Sequence, residues 1–256
     1  MGKIRILILG GTTEARMLAQ ALSVRLDLDV MLSLAGRTLD PLPQPVFVRF
    51  GGFGGVEGLV AFLQRERIDL MIDATHPFAE RISANAGAAV KRAGASAFSL
   101  RRAAWSPIEG DRWLAVKTVR AAIAALGPFP RRVFLAIGRQ EAGAANAAPI
   151  HHYLVRSVDP VDPPLGAPDV EYILARGPFA LEAELRLLQD HRIDAVVTKN
   201  SGGTATYAKI EAARALGLEV MMVERAPAGD MPVVETVEAA LSHIDHLICA
   251  EINRGV

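Results

Sequence analysis

Short apolar runs alternate along the chain with longer segments in which apolar positions recur every three or four residues. Short runs bounded by turn residues read as buried strands, and the longer segments as amphipathic helices, so the alternation predicts βα units around a parallel sheet. In the first half the spacing predicts strands near 4–9, 29–35, 46–50, 69–73 and 97–101, with helices near 12–24, 56–66 and 78–93. The last helix is the most regular: Ile82, Ala86, Ala89 and Val90 share one face, while Glu80, Arg81, Asn85 and Arg92 lie elsewhere, and Gly94 supplies a stop. After Trp105-Ser106-Pro107 the pattern begins again, with strands near 113–117, 132–137, 151–156, 171–175, 194–198 and 219–223. Helices are expected near 118–126, 179–190, 204–216 and 235–250, and the Pro-rich 159–168 reads as a loop. These segments imply two domains, 1–104 and 105–256.

An internal echo supports two similar halves. Leu63-Gln64 followed by Arg67-Ile68-Asp69 recurs as Leu188-Gln189 followed by Arg192-Ile193-Asp194. Each copy ends a helix, enters a buried strand and opens into a polar loop. Duplication of a doubly wound unit explains the echo, and the expected fold class is α/β: two Rossmann-like doubly wound parallel-sheet domains with a cleft between them.

Composition narrows the partners. Hydrophobic residues make up 51% of the 256 and charged residues 22%, which allows a sizeable core. Acidic and basic residues balance at 28 each, so no global field draws in nucleic acid or an anionic membrane. A bound polyanion must be held by a local cluster, and all but five of the basic residues are Arg, the better fork for carboxylates and phosphates. Cys249 is the single cysteine, which excludes an intramolecular disulfide; its apolar neighbours predict a buried thiol. No signal-peptide layout or membrane-spanning apolar run is present, so the expected location is the cytoplasm.

Ligands of open parallel sheets bind beyond the carboxyl ends of the strands. Five loops fall there. In Gly10-Gly11-Thr12-Thr13-Glu14 the glycines allow a sharp turn and close approach to a phosphate at a helix N-terminus; a tight turn with a Thr cap would show the same residues. Arg37, with Ser33 before it, suits the 2′-phosphate of NADP, and no acidic residue occurs between Asp29 and Asp40 to hold a free ribose. Around Gly52 and Phe53 four glycines allow backbone to pass close to a cofactor, with Phe53 packed on it. In Asp73-Ala74-Thr75-His76-Pro77-Phe78, Asp73 or Thr75 can cap a helix, Pro77 suits its first turn, and His76 titrates near neutral pH. Lys199-Asn200-Ser201-Gly202 forms an anion cradle, to which Arg139 and Arg176 add positive charge. No catalytic triad, paired carboxylates or metal-ligand spacing emerges, and His151-His152 point to opposite faces of a strand, so no metal is expected.

Taken in order, these pieces resemble the precorrin-6A reductase family of cobalamin biosynthesis. The resemblance is carried by Gly10-Gly11-Thr12-Thr13-Glu14-Ala15-Arg16, Ala35-Gly36-Arg37, Gly51-Gly52-Phe53-Gly54-Gly55, Asp73-Ala74-Thr75-His76-Pro77-Phe78-Ala79, Arg176-Gly177-Pro178-Phe179 and Lys199-Asn200-Ser201-Gly202-Gly203. The chain departs from the family's pattern in Arg102-Ala103-Ala104-Trp105 and in Glu224-Arg225-Ala226-Pro227. The resemblance implies NADPH as cofactor and reduction of one double bond of a carboxylate-rich tetrapyrrole, precorrin-6A. It assigns Gly10, Gly11, Thr12, Thr13, Glu14, Ser33, Arg37, Gly52, Phe53 and Thr75 to the cofactor. It assigns His76, Phe78, Arg139, Arg176, Lys199, Asn200, Ser201 and Gly202 to the substrate. Asp73, His76, Lys199 and Tyr207 all qualify as proton donor, and the sequence leaves that choice open. The same residues also fit an NADPH-dependent reductase of another anionic metabolite or a non-catalytic two-lobed nucleotide-binding protein; a nucleotide-sugar transferase shares the two lobes but needs sugar-directed groups that the sequence does not show.

Overall fold

The computed structural model describes residues 3–36 and 41–254. In chain order the elements are β1 (Ile4–Leu9), α1 (Thr13–Leu22), β2 (Leu28–Leu34), β3 (Phe47–Phe50), α2 (Gly55–Arg65), β4 (Leu70–Asp73), α3 (Glu80–Ala93) and β5 (Ser96–Leu100). There follow β6 (Arg112–Val116), α4 (Val119–Ala124), β7 (Arg132–Ala136), a 3₁₀ turn over Ala142–Ala147, β8 (His152–Ser157) and β9 (Val170–Leu174). The chain continues through α5 (Leu181–Asp190), β10 (Ala195–Lys199), α6 (Ala208–Ala215), β11 (Glu219–Val223), β12 (Val233–Val234) and α7 (Val237–Arg254). Every strand and helix that periodicity predicts is present. The short β12 and the 3₁₀ turn are additions, because neither is long enough to carry a period.

The strands form two six-stranded parallel sheets, ordered β12-β5-β4-β1-β2-β3 and β6-β11-β10-β7-β8-β9. In each, the first strand of the doubly wound unit lies near the centre and the chain winds outward to both sides, as an α/β architecture with right-handed crossovers requires. The sixth strands are exchanged. β6, next in sequence after β5, pairs with β11, while β12, next after β11, returns to pair with β5. The chain therefore divides into one unit of Met1–Ala103 with Ala226–Val256 and a second of Ala104–Arg225.

This corrects the expected second domain of 105–256. The edge of β5 would otherwise expose unpaired amides; Ser99 and Arg101 instead donate their backbone N–H groups to Pro232 and Val234 at 2.8 and 2.9 Å. The helix that follows buries Val237, Ala240, Ile244 and Ile248 in the same core as Leu18, Leu22 and Phe98. Cys249, one residue beyond that buried stripe, is rotated about 100° around the helix and is exposed, contrary to the expected buried thiol.

The internal echo marks equivalent corners. Arg67 and Arg192 both adopt left-handed backbone, at φ 48° and 49°. Ile68 and Ile193 donate to Leu63 and Leu188, each at 2.9 Å. Asp69 and Asp194 each accept a backbone N–H near the start of the central strand, from Arg5 and Arg132, both at 2.7 Å. The exchanged elements repeat as well. Val116-Lys117-Thr118-Val119 and Val234-Glu235-Thr236-Val237 both lead from a sixth strand into a helix, and the Thr118 and Thr236 hydroxyls cap Ala121 and Ala239.

In the first sheet, Ile6, Ile8, Leu32 and Ile72 face α1 and α7, while Leu7, Leu9 and Met71 face α2 and α3. In the second, Phe134, Leu154, Val196 and Met222 pack with Leu188 and Ile210. Among the described residues, no helix is long and apolar enough to cross a membrane.

Two buried polar features of the second unit carry predictions. Arg156 and Glu184 form a bidentate pair at 2.5 and 2.8 Å, with side chains 7% and 3% exposed, and the guanidinium lies 3.7 Å over the Phe179 ring. Glu184→Ala strands a buried cation and should cost about 3–5 kcal/mol in urea unfolding, whereas Arg156→Met with Glu184→Leu should recover most of that loss. His151 is 1% exposed, and neither ring nitrogen has a hydrogen-bond partner among the described residues. Burial, and secondarily the charge of Arg131, hold its pKa below the usual histidine value. The unfolded chain therefore takes up a proton that the folded one resists, so this stabilisation is present above about pH 6.5 and fades as the pH falls below it. Unfolding curves for His151→Phe should show a smaller loss between neutral and mildly acid pH than the parent; parallel losses would remove His151 as the cause.

Candidate functional site

The turn after β1 is built by two glycines with different reasons. Gly10 lies against β2, where a Cβ would meet Leu32 Cδ1 at 2.6 Å, and Gly11 holds φ at +121°. Thr12 then caps α1: its hydroxyl accepts from Ala15 N at 3.1 Å and donates to the Ala74 carbonyl at 2.9 Å. With its side chain so engaged, Thr12 can serve an anion only through the backbone. Thr13 is exposed in the first turn of the helix. Glu14, expected on the cofactor, is paired with Arg102 at 2.5 Å, which neutralises an acid beside the positive end of α1.

At the ends of β2 and β3 the organising residue is Arg49, which sequence reasoning missed. Its guanidinium donates to the Ser33 hydroxyl at 3.1 Å and to the Gly51 and Gly52 carbonyls, both at 2.7 Å. It also lies 3.9 Å over the Phe53 ring. Burial, and then the Arg65 charge, lower its pKa. The opposite side of this arrangement is equally tight: Phe53 meets Phe62 edge to face at 5.1 Å, and a Cβ on Gly58 would come within 1.6 Å of the Phe53 carbonyl oxygen. Phe53 is therefore held between Arg49 and α2 rather than presented as a free platform. The arginine two residues before the Gly-Gly-Phe run was the available signal. Arg37 lies outside the described residues.

The loop after β4 is held by Asp73, 5% exposed, whose Oδ1 accepts from the Thr75 amide at 3.1 Å and the Thr75 hydroxyl at 2.7 Å. The Thr75 hydroxyl also lies 3.3 Å from that of Ser83 on α3. Phe78 donates its amide to His76 Nδ1 at 3.3 Å, and Pro77 precedes the helix, which starts only at Glu80. Beside this loop is a cavity of about 500 Å³, walled by Asp73, Ser99, Arg101, α3 and the segment 226–231 that leads into β12. Gly87 faces it from the middle of α3, where a Cβ would meet nothing within 4 Å. A mid-helix glycine costs about 1 kcal/mol relative to alanine, and packing gives no reason for it here.

In the second unit the expected cradle follows β10. Lys199 pairs with Glu141, which occupies the position of Glu14 in the first unit. Asn200 is buried and engaged at both ends of its amide: its Oδ1 accepts from Trp105 N and its Nδ2 donates to Trp105 O, each at 2.8 Å. Trp105 Nε1 in turn donates to Gly203 O at 2.7 Å. Asn200 thus ties the loop after β10 to the segment at Trp105. Gly202 and Gly203 both take positive φ, and α6 starts at Ala208, later than expected, nine residues beyond Lys199. Arg139 follows the left-handed Gly138 after β7, and exposed Arg176 follows β9; both, with Ser201, lie at the carboxyl edge of this sheet. Tyr207, one of the candidate proton donors, accepts from Arg214 at 2.9 Å.

Comparison with known proteins agrees over nearly the whole chain. A family model described as precorrin-6x reductase CbiJ/CobK matches residues 5–245. A precorrin-6A reductase of a Sinorhizobium species is 58% identical over 246 residues, covering 96% of this chain and 94% of that protein. One from Rhodobacter capsulatus is 46% identical over 243 residues, covering 94% and 96%. A solved structure described as CobK precorrin-6A reductase has a TM-score of 0.90 at 46% identity, covering 95% of this chain and 96% of its own.

The Arg49 assembly predicts a local effect. Arg49→Leu frees two carbonyls and a hydroxyl and should cost about 1–3 kcal/mol, with faster amide exchange concentrated at residues 50–55. Uniform exchange would show that the loop does not depend on this side chain.

Proposed function

This chain belongs to the precorrin-6x reductase CbiJ/CobK family, and we propose that it uses NADPH, held by the first unit, to reduce precorrin-6A held by the second. Family membership carries the reaction, reduction of a carbon–carbon double bond of the macrocycle on the route to cobalamin. The division of labour rests on a difference between otherwise equivalent units.

Counting from the matched corners at Arg5 and Arg132, Gly10 corresponds to Ile137 and Gly11 to Gly138. Where the first unit has a glycine and then the ten-residue α1, the second has a buried isoleucine and then a 3₁₀ turn over Ala142–Ala147. Only the first turn combines close backbone approach with a full helix N-terminus, which is what a diphosphate needs. The residues present fit that group. The backbone of Gly11 and Thr13 would bind the diphosphate, Ser33 and Arg49 would border the adenosine ribose, and Arg37 would take the 2′-phosphate. When bound, the cofactor supplies the hydride. In the second unit Arg139, Arg176 and Lys199, with Ser201 and Gly202, would bind acetate and propionate carboxylates and so orient the ring. The relatives at 58% and 46% identity are both named for precorrin-6A, which supports the metal-free macrocycle as substrate.

Turnover of precorrin-6A under anaerobic conditions, with NADPH and NADH compared, tests the reading. Oxidation of NADPH coupled to loss of the precorrin-6A spectrum is the expected result. Saturable NADPH binding with no turnover would favour a non-catalytic binder, and turnover only of a different anion would favour another reductase. Arg37→Ala should weaken NADPH about tenfold or more while changing NADH little; equal losses would remove Arg37 as the 2′-phosphate ligand.

A further inference from the structure

The buried ion pair of the second unit sits where the shared frame does not require one. Arg156 is near the carboxyl end of β8 and Glu184 in the first turn of α5, with side chains 7% and 3% exposed. Taking two charges out of water is expensive, and an apolar pair of similar volume serves a core as well or better. The first unit uses none at this point. With Leu63 and Leu188 in register, Leu59 falls where the second unit has Glu184, and the strand registers put Ser33 where it has Arg156. Leu59 is fully buried in its core, so the position is filled there without a carboxylate. Stability gives no reason for the charged pair. Its surroundings do.

Two bonds to Glu184, from Nη1 and Nη2, fix the plane of the Arg156 guanidinium. Its central carbon lies 3.7 Å over the Phe179 ring and 4.7 Å over that of Phe134. Phe134 is a fully buried residue of β7, so the cation joins Phe179, which belongs to a loop, to the core of the sheet. A planar cation stacked on an aromatic ring defines one placement for it. A flexible aliphatic side chain would define it less well.

Phe179 carries that placement into two loops at the carboxyl edge of the sheet. It stands three residues after Arg176, and its backbone N–H donates to the Ala205 carbonyl at 3.2 Å. Gly177 lies against the same carbonyl, where a Cβ would come within 2.9 Å. Ala205 belongs to the loop after β10, which also holds Ser201 and Gly202. The loop after β9 and the loop after β10 are thus joined to each other at Ala205 and to the core at Arg156.

We infer that Arg156 and Glu184 are positioning residues: acting through Phe179, they hold the loops of Arg176 and Ser201 in the arrangement that receives the carboxylates of the macrocycle. This rests on the assignment of those loops to the substrate, and the test separates the two. Arg156→Met with Glu184→Leu removes both charges together, and Phe179→Leu removes the ring while leaving the pair in place. Each protein, the combination of all three changes and the parent are compared by thermal melting, by amide exchange without ligand, and by turnover of precorrin-6A with NADPH.

The paired variant should melt near the parent, with faster exchange concentrated at residues 176–179 and 201–206. Its KM for precorrin-6A should rise about tenfold or more, with kcat and NADPH affinity little changed. Phe179→Leu should do the same, and the combination should add nothing, because both changes act through one ring. A folded paired variant with the exchange and KM of the parent would overturn the inference. An unchanged KM in Phe179→Leu would do so whether or not the paired variant folds, and additive losses would show that the pair does not act through Phe179. Failure of the parent to bind precorrin-6A would remove the substrate reading, and the inference with it, whatever the loops do.

Discussion

The pairing of β12 with β5 is the contact on which the first unit depends. A parallel edge strand presents unpaired amides and carbonyls that must be covered. Here the cover comes from a segment that follows the whole second unit in sequence. Two backbone bonds, from Ser99 to Pro232 and from Arg101 to Val234, anchor it. The consequences are larger than the two residues of the strand. The pairing brings α7 onto the core beside α1, and it draws residues 226–231 over α3 to close a cavity around Asp73 and Arg101. Strand pairing, core completion and the cavity wall thus all draw on the one returning segment in this unit.

The two units share a frame and differ at the carboxyl edges of their sheets. Their corners agree, down to an arginine in left-handed backbone and an aspartate receiving an amide near the start of the central strand. Their ligand edges diverge. One keeps paired glycines before a full helix, and the other substitutes an isoleucine and a 3₁₀ turn, with basic side chains at the ends of neighbouring strands. The frame is held by backbone bonding and buried aliphatic packing, which tolerate few alternatives. The edge is held by turns, where one Cβ decides whether a phosphate can approach.

Several side chains that read as ligands also hold the loops that carry them. Thr12 and Asn200 make hydrogen bonds within the protein, Phe53 is clasped by Arg49, and Glu14 answers Arg102. Polar residues in glycine-rich loops look alike in sequence whether they bind a ligand or hold the loop that does, because both tasks call for the same short donors and acceptors. Arg49 and Arg101 went unnoticed for the converse reason. A single arginine inside or just after a strand has no pattern, and its role arises from neighbours distant in the chain.

The sequence by itself determined the α/β class, the succession of strands and helices, the repeated corner, and the polar and glycine-rich loops at the carboxyl ends of the strands. All of these follow from local periodicity, turn chemistry and short spacing, which act between near neighbours in the chain. The tertiary structure alone decided which sheet each sixth strand joins, and with it the unit to which residues 226–256 belong. Val116-Lys117-Thr118-Val119 and Val234-Glu235-Thr236-Val237 have the same local preferences, so nothing local distinguishes the sheet each completes. The choice is made by backbone edges and apolar faces brought together across more than half the chain, and the cavity beside α3 follows from it.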